Sequence, residues 1–387
     1  MVRDSIIQEF TVSYRYPVHF TTGLFAETNR LLADFFASQA AEATPKVLVV
    51  IDEGVLAAHT QLKENIQAYF SGMPTVSLVG EQVVVPGGEA CKNDYAVVDR
   101  IIEAVDRYGI DRHSYVIAVG GGAVLDAVGY AATISHRGIR HIRIPTTVLS
   151  QNDSGIGVKN SINYQGKKNF IGTFSPPFAV FNDYGLLQTL TSRAWLSGIS
   201  EAVKVALIKD RTFFEWIAEH ATALHQREPE ASKYMIFRCA ELHLQHIGGA
   251  DPFETGSSRP LDFGHWSAHK LEQLSGFEVL HGEAVAIGIA LDSMYSYLTG
   301  LLSLDDANRI VDVLQQVGLP VFHPLIDGEE GSSPLLVGLE EFREHLGGRL
   351  TIMLLEEIGK GVEVHHMDHE LVLKAVALLQ ERVGVHS

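Results

Sequence analysis

Short apolar strands that alternate with helices constrain the fold of the first half of this chain more than any other feature. Residues 46–52 (KVLVVID) and 114–119 (SYVIAV) are short runs rich in β-branched residues, which are typical of strands buried on both faces of a sheet. Helical patterns separate these runs from each other and from a further strand at 141–144. This alternation predicts βαβ units and a mostly parallel sheet.

From about residue 190 helical periodicity dominates, and two short strands, at 351–357 and 362–366, are the expected interruption. The predicted helices cover residues 192–208, 211–225, 230–247, 262–276, 281–300, 303–317, 335–345 and 369–383. We therefore predict an α/β domain over residues 1–187 and a mainly α-helical domain over residues 188–387. A cleft between two such domains is the expected ligand site.

The charge of the chain narrows the classes of partner. Its formal charge of −17 at pH 7 argues against nucleic acid and anionic membranes, since both require clustered Lys and Arg. Cys91 and Cys239 offer no disulfide framework and favour a reducing cytoplasm. The first residues lack the apolar core of a signal peptide and no run of 18 apolar residues occurs, so we expect neither secretion nor a membrane span.

A histidine-rich stretch in the helical half is the strongest indication of chemistry. His265 and His269 are four residues apart, and His281 opens the next helical run. Imidazole is the commonest transition-metal ligand, and helical spacing of four places two side chains on one face. Glu201, on an earlier helix, could complete a Glu-His-His site with positions open for substrate. The alternatives are a surface ion pair between Glu201 and Lys204 and hydrogen-bonded core histidines.

Three consecutive glycines, Gly120, Gly121 and Gly122, separate a predicted strand from a predicted helix. Glycine lets the backbone approach a pyrophosphate there, and the helix N-terminus offers free N–H groups to it. Asp52, at the end of an earlier strand, is placed to bind a ribose hydroxyl. A tight turn at the glycines and a helix N-cap at Asp52 are the alternatives.

A polar, glycine-rich segment at 151–159 and 166–169 carries three lysines, Lys159, Lys167 and Lys168. In an acidic protein, such a local basic cluster indicates phosphate or hydroxyl recognition. A solvated loop is the alternative.

Eight stretches together resemble the sugar phosphate cyclases, whose best-known member is 3-dehydroquinate synthase. The resemblance runs from about residue 46 to 359 and is specific because of the order and spacing of its parts. These are PGGEACK (86–92), GGGAVLD (120–126), HRG (136–138), PTTVLSQNDSGIGVK (145–159), GKKNFIG (166–172), GISEAVK (198–204), DFGHWSAH (262–269) and LHGEAV (280–285). It implies a dehydroquinate synthase-like fold, with a Rossmann-like N-terminal domain and a mainly helical, metal-binding C-terminal domain.

The resemblance also implies residue roles and cofactors. Glu201, His265 and His281 match the ligands of a divalent metal, usually zinc or cobalt. The positions around NAD match Asp52, Glu89, Lys92, Gly121, Gly122, Asp126, Thr146, Thr147, Lys168 and Thr189. The positions that line the substrate match Asp153, Lys159, Lys168, Asn169, Lys204, Asp262 and His269.

Five of the substrate-lining residues are the candidates for catalysis: Asp153, Lys159, Lys204, Asp262 and His269. In the family, the hydroxyl next to the reacting C–H is oxidised, phosphate is eliminated, the ketone is reduced, and an intramolecular aldol step closes a carbocycle. The resemblance implies that the lysines hold the departing phosphate and that His269 moves protons. Arg137 matches an arginine that reaches the substrate phosphate in the neighbouring subunit, which implies a homodimer.

Two departures from 3-dehydroquinate synthase concern the substrate. In the pattern R-x-x-L-N-x-G-H, the arginine that binds the substrate carboxylate falls on Ser258, and the asparagine falls on Asp262; Arg259 is one residue out of register. A lysine expected upstream is replaced by Leu244, beside His243. An acidic residue makes a poor pocket for a carboxylate but a good one for hydroxyls.

Asp262 is instead similar to the cyclases that take sedoheptulose 7-phosphate, as is the segment 341–348, whereas His269 is the dehydroquinate synthase residue. We expect an enzyme that converts a heptulose 7-phosphate, most simply sedoheptulose 7-phosphate, to a valiolone-type C7 cyclitol. The alternatives are 3-dehydroquinate synthase, acting on 3-deoxy-D-arabino-heptulosonate 7-phosphate, a metal-dependent polyol dehydrogenase, and a non-catalytic binding protein.

Overall fold

The computed structural model describes residues 5–39, 43–249, 251–253, 260–327, 333–345 and 348–384. Its strands are β1 (Val18–Thr21), β2 (Lys46–Asp52), β3 (Ser77–Leu78), β4 (Val83–Val85), β5 (Tyr115–Gly120), β6 (Arg140–Pro145), β7 (Lys159–Tyr164), β8 (Lys167–Phe174), β9 (Ala179–Asp183), β10 (Ile352–Glu357) and β11 (Lys360–Val364). Its helices in the N-terminal half are α1 (Leu31–Ala37), α2 (Glu53–Ala58), α3 (Leu62–Ser71), α4 (Ala90–Asn93), α5 (Tyr95–Arg107) and α6 (Gly122–Ile134).

The helices of the C-terminal half account for most of its length. They are α7 (Ser192–Ser197), α8 (Ile199–Lys209), α9 (Arg211–Glu219), α10 (Ala221–His225), α11 (Pro229–Ile247), α12 (His265–Leu274), α13 (His281–Leu298), α14 (Leu304–Val317), α15 (Pro334–His345) and α16 (His369–Gly384). The predicted helices at 192–208 and 211–225 each divide in two, at Gly198 and His220. The predicted domain division after residue 187 stays a prediction.

A parallel sheet of seven strands organises the N-terminal half. Its order is β1-β9-β6-β5-β2, and β3 and β4 both pair with the outer side of β2. The inner strands β2 and β5 are buried along nearly their whole length, as their β-branched runs predict. Helices α5 and α6 pack on one face of the sheet, and α1 and α3 pack on the other. The predicted fold, an α/β half followed by a mainly helical half, is confirmed.

The strands β2, β5 and β6 end side by side, so the residues that follow them share the carboxyl edge of the sheet. Ligands of open α/β sheets bind at this edge. In the helical half, α13 is buried along most of its length and packs against α8, α12, α14 and α16. It therefore forms the centre of that half.

The alternation of polar and apolar residues over 5–20 predicts edge strands, and this prediction is wrong for residues 5–17. Only Val18–Thr21 joins the sheet edge; side chains such as Ile6 and Phe10 are exposed, without a sheet face that could bury them.

The solvated loop, which was the alternative for the lysine-bearing segment, does not hold for residues 159–174, because they form a β-hairpin (β7 and β8). Its turn places Gln165 and Gly166 at positive φ, which is the backbone of the two-residue turns that suit hairpins.

Of the helices in the described part of the chain, not one combines the length and the apolar character of a membrane span.

Helices α12 and α13 meet at a pair of glycines. A Cβ atom on Gly288 would lie 2.0 Å from the carbonyl oxygen of Gly264 and 2.8 Å from Oγ of Ser267. Such distances are far below van der Waals contact, so the two helices can approach only because Gly288 has no side chain.

We predict that Gly288→Ala lowers the free energy of unfolding by about 1–3 kcal/mol, because the added methyl group overpacks this contact. Urea denaturation measures the effect. Gly384→Ala, at the end of α16, is the control, since a Cβ there meets nothing within 4 Å, and we expect a change within about 0.5 kcal/mol. Equal stability of the two variants would contradict the prediction.

Candidate active site

A buried carboxylate, that of Glu201, lies at the centre of the helical half. It is on the first turn of α8 and is fully inaccessible to solvent. The Nε2 atoms of His265 and His281 lie 3.7 and 3.8 Å from its Oε1. Two ligands about 2.1 Å from a tetrahedral Zn²⁺ would be about 3.4 Å apart, so each nitrogen is within tenths of an ångström of this spacing from Oε1, and the three possible ligand atoms all lie within 4.8 Å of one another.

The two histidines are held in the tautomer that a metal requires. His265 Nδ1 donates to the carbonyl oxygen of Phe263 at 3.1 Å, and His281 Nδ1 donates to Oε2 of Glu272 at 3.2 Å. Each ring therefore turns Nε2 towards Glu201, and a hydrogen bond from the opposite nitrogen is the usual support of a metal-ligating histidine.

The electrostatics of the site also fit a divalent metal. Oε1 of Glu201 accepts no hydrogen bond from any described residue, and a buried carboxylate oxygen without a partner is costly. Burial, together with the charges of Lys204 and His281, holds the pKa of His265 well below its usual range, so this ring is neutral and able to ligate. The chemistry of the donor set, one carboxylate and two imidazoles, suits Zn²⁺ or Co²⁺.

Lys204 lies one turn after Glu201 on α8 and forms a buried ion pair with its Oε2. Burial acts to lower the pKa of Lys204, but the carboxylates of Glu201, Asp153 and Asp262 outweigh it, and the pKa is raised. The alternative of a surface ion pair is therefore wrong, because both side chains are buried. It places an ammonium beside the metal site, facing the carboxylates of two predicted substrate residues.

His269 borders the metal triad on its exposed side. Its ring centroid lies 5.7 Å from that of His265 and 6.2 Å from that of His281. Glu201, His265 and His281 meet as a group of possible metal ligands, and His269 does not belong to that group. The position suits a residue that exchanges protons with a substrate beside the metal.

The start of α12, which carries His265, is fixed by a buried carboxylate. Asp292 on α13 accepts from the backbone N–H of Gly264 at 2.9 Å and from Nε1 of Trp266 at 2.9 Å. Burial raises the pKa of Asp292 to about 7, although these two bonds oppose the shift. The residues on both sides of His265 are therefore anchored to α13.

The predicted nucleotide residues come together at the carboxyl edge of the sheet. Asp52 ends β2, caps α2 through the N–H of Gly54 at 2.8 Å, and lies where a Cβ on Gly87 would be 2.6 Å from its Oδ1. Asp52 is therefore a helix N-cap, and it could also bind a ribose hydroxyl, since the cap uses only its Oδ1. Burial raises the pKa of this carboxyl.

The glycines at the same edge form a close-fitting cradle. Gly121 is the N-cap of α6, whose first N–H groups have no side-chain cap, and a Cβ on Gly122 would lie 2.6 Å from Oγ of Ser154. Thr146 and Thr147 follow β6, with the N–H of Thr146 donating to the carbonyl of Gly120 at 3.0 Å. This tight backbone at a helix N-terminus suits a pyrophosphate.

Four further predicted residues, Glu89, Lys92, Asp126 and Asn169, meet at the hairpin. Lys92 Nζ donates to Asp126 at 2.7 Å, to Ser161 at 3.0 Å and to Asn169. Glu89 accepts from Asn163 on β7 at 2.8 Å. The hairpin that the sequence did not predict is thus the element that brings Asn169 to α4 and α6.

A short π-helical segment, Ser150–Ser154, carries Asp153. Two buried amides fix it: Gln151 donates to the carbonyls of Pro145 and Asp183, and Asn152 donates to the carbonyl of Gly198. The segment is therefore tied to both halves of the chain. Asp153 lies between them, with 32% of its side chain exposed.

Two buried residues that sequence reasoning did not assign support this segment. Arg143, fully buried on β6, donates to the carbonyls of Gly155, Gly157 and Lys159, and so shapes the backbone that presents Lys159. His243 on α11 lies 3.2 Å from Asp153. An arginine between two buried isoleucines, Ile142 and Ile144, is the signal that could have indicated Arg143.

Glu272 is the most important residue that the predictions missed. It is nearly inaccessible, and its second oxygen pairs with Lys168 Nζ at 2.7 Å, while Lys168 also lies 3.6 Å from Glu89. Burial acts to raise its pKa, but His281 and Lys168 lower it to about 2. Its position seven residues after His265 places it on the same face of α12, which was a usable signal.

The remaining predicted residues lie away from the metal triad and the glycine cradle, or outside the described residues. Thr189 Oγ1 is 2.9 Å from Nε2 of His59. Arg137 is exposed beyond the C-terminal end of α6, about 20 Å from the glycines at its N-terminus. Ser258 and Arg259, the positions compared with the carboxylate-binding arginine, lie outside the described residues.

Comparison with known proteins agrees with this geometry. Residues 82–197 match the family model of the 3-dehydroquinate synthase N-terminal domain, and residues 198–333 match that of its C-terminal domain. A 2-epi-5-epi-valiolone synthase from Streptomyces hygroscopicus subsp. jinggangensis, solved with NAD⁺ and Zn²⁺ bound, is 30% identical; the match covers 98% of this chain and 99% of that chain, with a TM-score of 0.85.

The chain belongs to the 3-dehydroquinate synthase-like family of sugar phosphate cyclases. A 2-deoxy-scyllo-inosose synthase, solved with carbaglucose-6-phosphate, NAD⁺ and Co²⁺, is 21% identical over 93% of this chain and 95% of that chain, with a TM-score of 0.75. A probable glycerol dehydrogenase from Sinorhizobium meliloti is 14% identical over 95% and 97% of the two chains, with a TM-score of 0.61. Below 25% identity, these two likenesses concern the fold alone.

We predict that Glu272→Gln weakens metal binding about 10–100-fold, because the residue that orients a ligating histidine typically contributes that much. Competition with a chromophoric chelator, using Zn²⁺ or Co²⁺, measures the affinity. Glu341→Gln is the matched control. Glu341 on α15 pairs at 2.9 Å with Lys270 of α12, the helix that carries Glu272, but Glu341 is half exposed and does not belong to the metal triad. Unchanged affinity in the first variant would contradict the role of Glu272.

Proposed function

We propose that this protein is a sugar phosphate cyclase that converts sedoheptulose 7-phosphate to a valiolone-type C7 cyclitol with loss of phosphate. Its membership of the family and its full-length likeness to a 2-epi-5-epi-valiolone synthase support cyclase chemistry. The observation that carries the choice of substrate is the position of Asp262. Its carboxylate lies close enough to Lys204 to raise the pKa of that ammonium, which supports a position in the substrate cleft.

The cofactors proposed for this chain are NAD and Zn²⁺ or Co²⁺. The edge of the sheet with Asp52, Gly121 and Gly122 would hold NAD, and Glu201, His265 and His281 would hold the metal. When bound, NAD would supply reversible hydride transfer and the metal would polarise an oxygen of the substrate.

The side chains of the cleft divide into two groups by charge. Lys159, which is exposed, and Lys204 would bind the phosphate and stabilise the negative charge that leaves with it. Asp153 and Asp262 would accept hydrogen bonds from hydroxyls of the sugar. The imidazole of His269, beside the metal ligands, would take and return protons at the reacting carbon and its hydroxyl.

The charge of the cleft favours sedoheptulose 7-phosphate over 3-deoxy-D-arabino-heptulosonate 7-phosphate. The second sugar phosphate carries a carboxylate where the first has a hydroxymethyl group. A carboxylate next to the anionic Asp262 would be repelled, whereas a hydroxymethyl group could donate a hydrogen bond to it. Carboxylate chemistry therefore argues against 3-dehydroquinate synthase activity.

We predict that the protein with NAD⁺ and Zn²⁺ or Co²⁺ releases phosphate from sedoheptulose 7-phosphate, without accumulating NADH, because the hydride is returned within each turnover. Phosphate release, absorbance of NADH and NMR of the product are the measurements. Removal of the metal by a chelator should abolish release, and the same metal should restore it.

The alternatives give different outcomes in the same assay. Turnover of only the carboxylated heptulosonate would identify a 3-dehydroquinate synthase. Net accumulation of NADH would identify a polyol dehydrogenase. Inactivity of the protein with NAD and metal bound would favour a binding protein.

We further propose that the enzyme is a homodimer in which Arg137 reaches the phosphate in the partner subunit. Arg137 is exposed and lies at the opposite end of α6 from the nucleotide cradle, so it is too far away to serve its own cleft. His136 and Arg137 both have positive φ, a costly conformation for residues with a side chain, and this turn projects from the surface. Location in the cytoplasm stays a prediction.

Subunit complementation tests this arrangement. We expect Arg137→Ala and Glu201→Ala to be inactive as separate proteins, and their co-expressed mixture to recover about a quarter of wild-type activity. In a random mixture of two-fold dimers, half are hybrids, and one of the two sites in each hybrid has both the metal ligands and the partner's arginine. No recovery in the mixture would show that Arg137 acts within its own subunit or has another role.

A further inference from the structure

A buried histidine outside the metal triad, His243, faces a residue of the substrate cleft. It lies on α11 with 1% of its surface exposed. Its Nδ1 is 2.9 Å from the carbonyl oxygen of Cys239, one turn earlier, and its Nε2 is 3.2 Å from Oδ1 of Asp153. The ring therefore bridges the backbone of α11 and the π-helical segment Ser150–Ser154.

Both ring nitrogens of His243 have polar neighbours. Nδ1 faces the carbonyl oxygen of Cys239 and lies 3.6 Å from its Sγ. Nε2 is buried and makes no hydrogen bond to the described residues, and Oδ1 of Asp153 is 3.2 Å away. A carboxylate oxygen can only accept, so a proton on Nε2 would let the ring hold this oxygen from the buried side.

A second metal ion is the competing explanation, because Asp153, Glu201 and His243 also place possible ligand atoms within 4.8 Å of one another. The surrounding charge opposes it. Lys204 pairs with Oε2 of Glu201, and its ammonium would lie next to a second dication. With a dication already at the triad, a further one would be repelled by two neighbouring positive charges.

We propose that His243 is a positioning residue for the substrate-binding carboxylate of Asp153. It engages one oxygen of Asp153 from the buried side, keeps the group ionised, and leaves the other oxygen to accept a hydrogen bond from a hydroxyl of the substrate. The role rests on the proposed function, since it specifies how the cleft recognises a polyhydroxylated sugar phosphate.

The setting of Asp153 supports this role. Its side chain is 32% exposed, so one side faces the cleft while the other meets α11. Burial acts to raise its pKa, but the charges of His243, Lys204 and Lys159 outweigh it and hold the pKa below its usual range. His243 is buried, so it meets this carboxylate from the side away from solvent.

The first test needs no turnover. In the NAD- and Zn²⁺-loaded enzyme labelled with ¹⁵N-histidine, Nε2 of His243 should show the shift of a protonated nitrogen, with His243→Asn identifying the signal. In Asp153→Asn the shift of this nitrogen should change, because its partner loses its negative charge. Each chain should bind one metal ion, in the wild type and in His243→Asn alike. An Nε2 without a proton in the wild type, or a metal ion lost with His243, would overturn the proposal.

The second test is a double-mutant cycle with sedoheptulose 7-phosphate. Losing a hydrogen bond to a charged group should make His243→Leu lower kcat/KM about 10–100-fold, mainly through KM for the sugar phosphate, with KM for NAD unchanged. In the Asp153→Asn background the same substitution should cost less than about two-fold, because the two residues act as a unit. Independent, multiplicative effects would contradict the proposal.

His220→Leu is the matched control, because His220 Nδ1 bonds the carbonyl of Trp216 one turn earlier, as His243 bonds Cys239, but lies away from the cleft. It should keep wild-type kinetics. Melting temperatures show whether each variant folds. If the His243 variants do not fold, Asp153→Asn, which keeps the histidine, tests the contact between the two residues. A wild-type enzyme that is inactive on heptulose phosphates would overturn the proposed function alone, since the spectroscopic and metal measurements still decide the state of His243.

Discussion

The buried carboxylate of Glu201 is the constraint on which the rest of the helical half depends. An anion that is fully removed from water must be compensated by nearby positive charge, or the fold loses several kcal/mol. Lys204 compensates one oxygen from the same helix, and the Nε2 atoms of two histidines face the other. Helices α8, α12 and α13 therefore have to pack in one register, and the glycine contact between Gly264 and Gly288 allows that register.

The same constraint extends from the metal site to the other half of the chain. His281 is oriented by Glu272, Glu272 pairs with Lys168 on the hairpin, and Lys168 lies beside Glu89 at the start of α4. The chain of charges thus joins α12 to the nucleotide side of the cleft. A change in the position of the hairpin would move Lys168 and Glu272 and so reorient His281. The two halves therefore cannot separate without altering the metal site.

The sequence was sufficient for features that depend on local pattern. The buried strands Lys46–Asp52 and Tyr115–Gly120, the helix that follows the glycines, and the long helices of the second half all have strong periodicity. The grouping of Glu201, His265 and His281 followed from a family resemblance, since spacing alone also allowed His269 as a ligand. The missed residues, Glu272, Arg143 and His243, act through contacts between elements remote in sequence. Helical spacing placed Glu272 on the face of His265, but periodicity could not identify its partners His281 and Lys168. The hairpin was missed because its polar strands lack the apolar alternation of a half-buried sheet.

Charge, more than size, is what distinguishes the substrates that such a cleft can accept. Lys159 and Lys204 provide positive charge for one anionic group, the phosphate, while Asp153 and Asp262 are anions themselves and can only accept hydrogen bonds. A sugar with one phosphate and hydroxyls elsewhere satisfies both sets. A second anionic group on the sugar would place its oxygens against the carboxylate of Asp153 or Asp262, and neither side could donate a hydrogen bond. Two unpaired acceptors weaken binding more than an unfilled space does. If His243 keeps Asp153 ionised, the preference for hydroxyls is enforced from behind the cleft, by a residue that the substrate never touches.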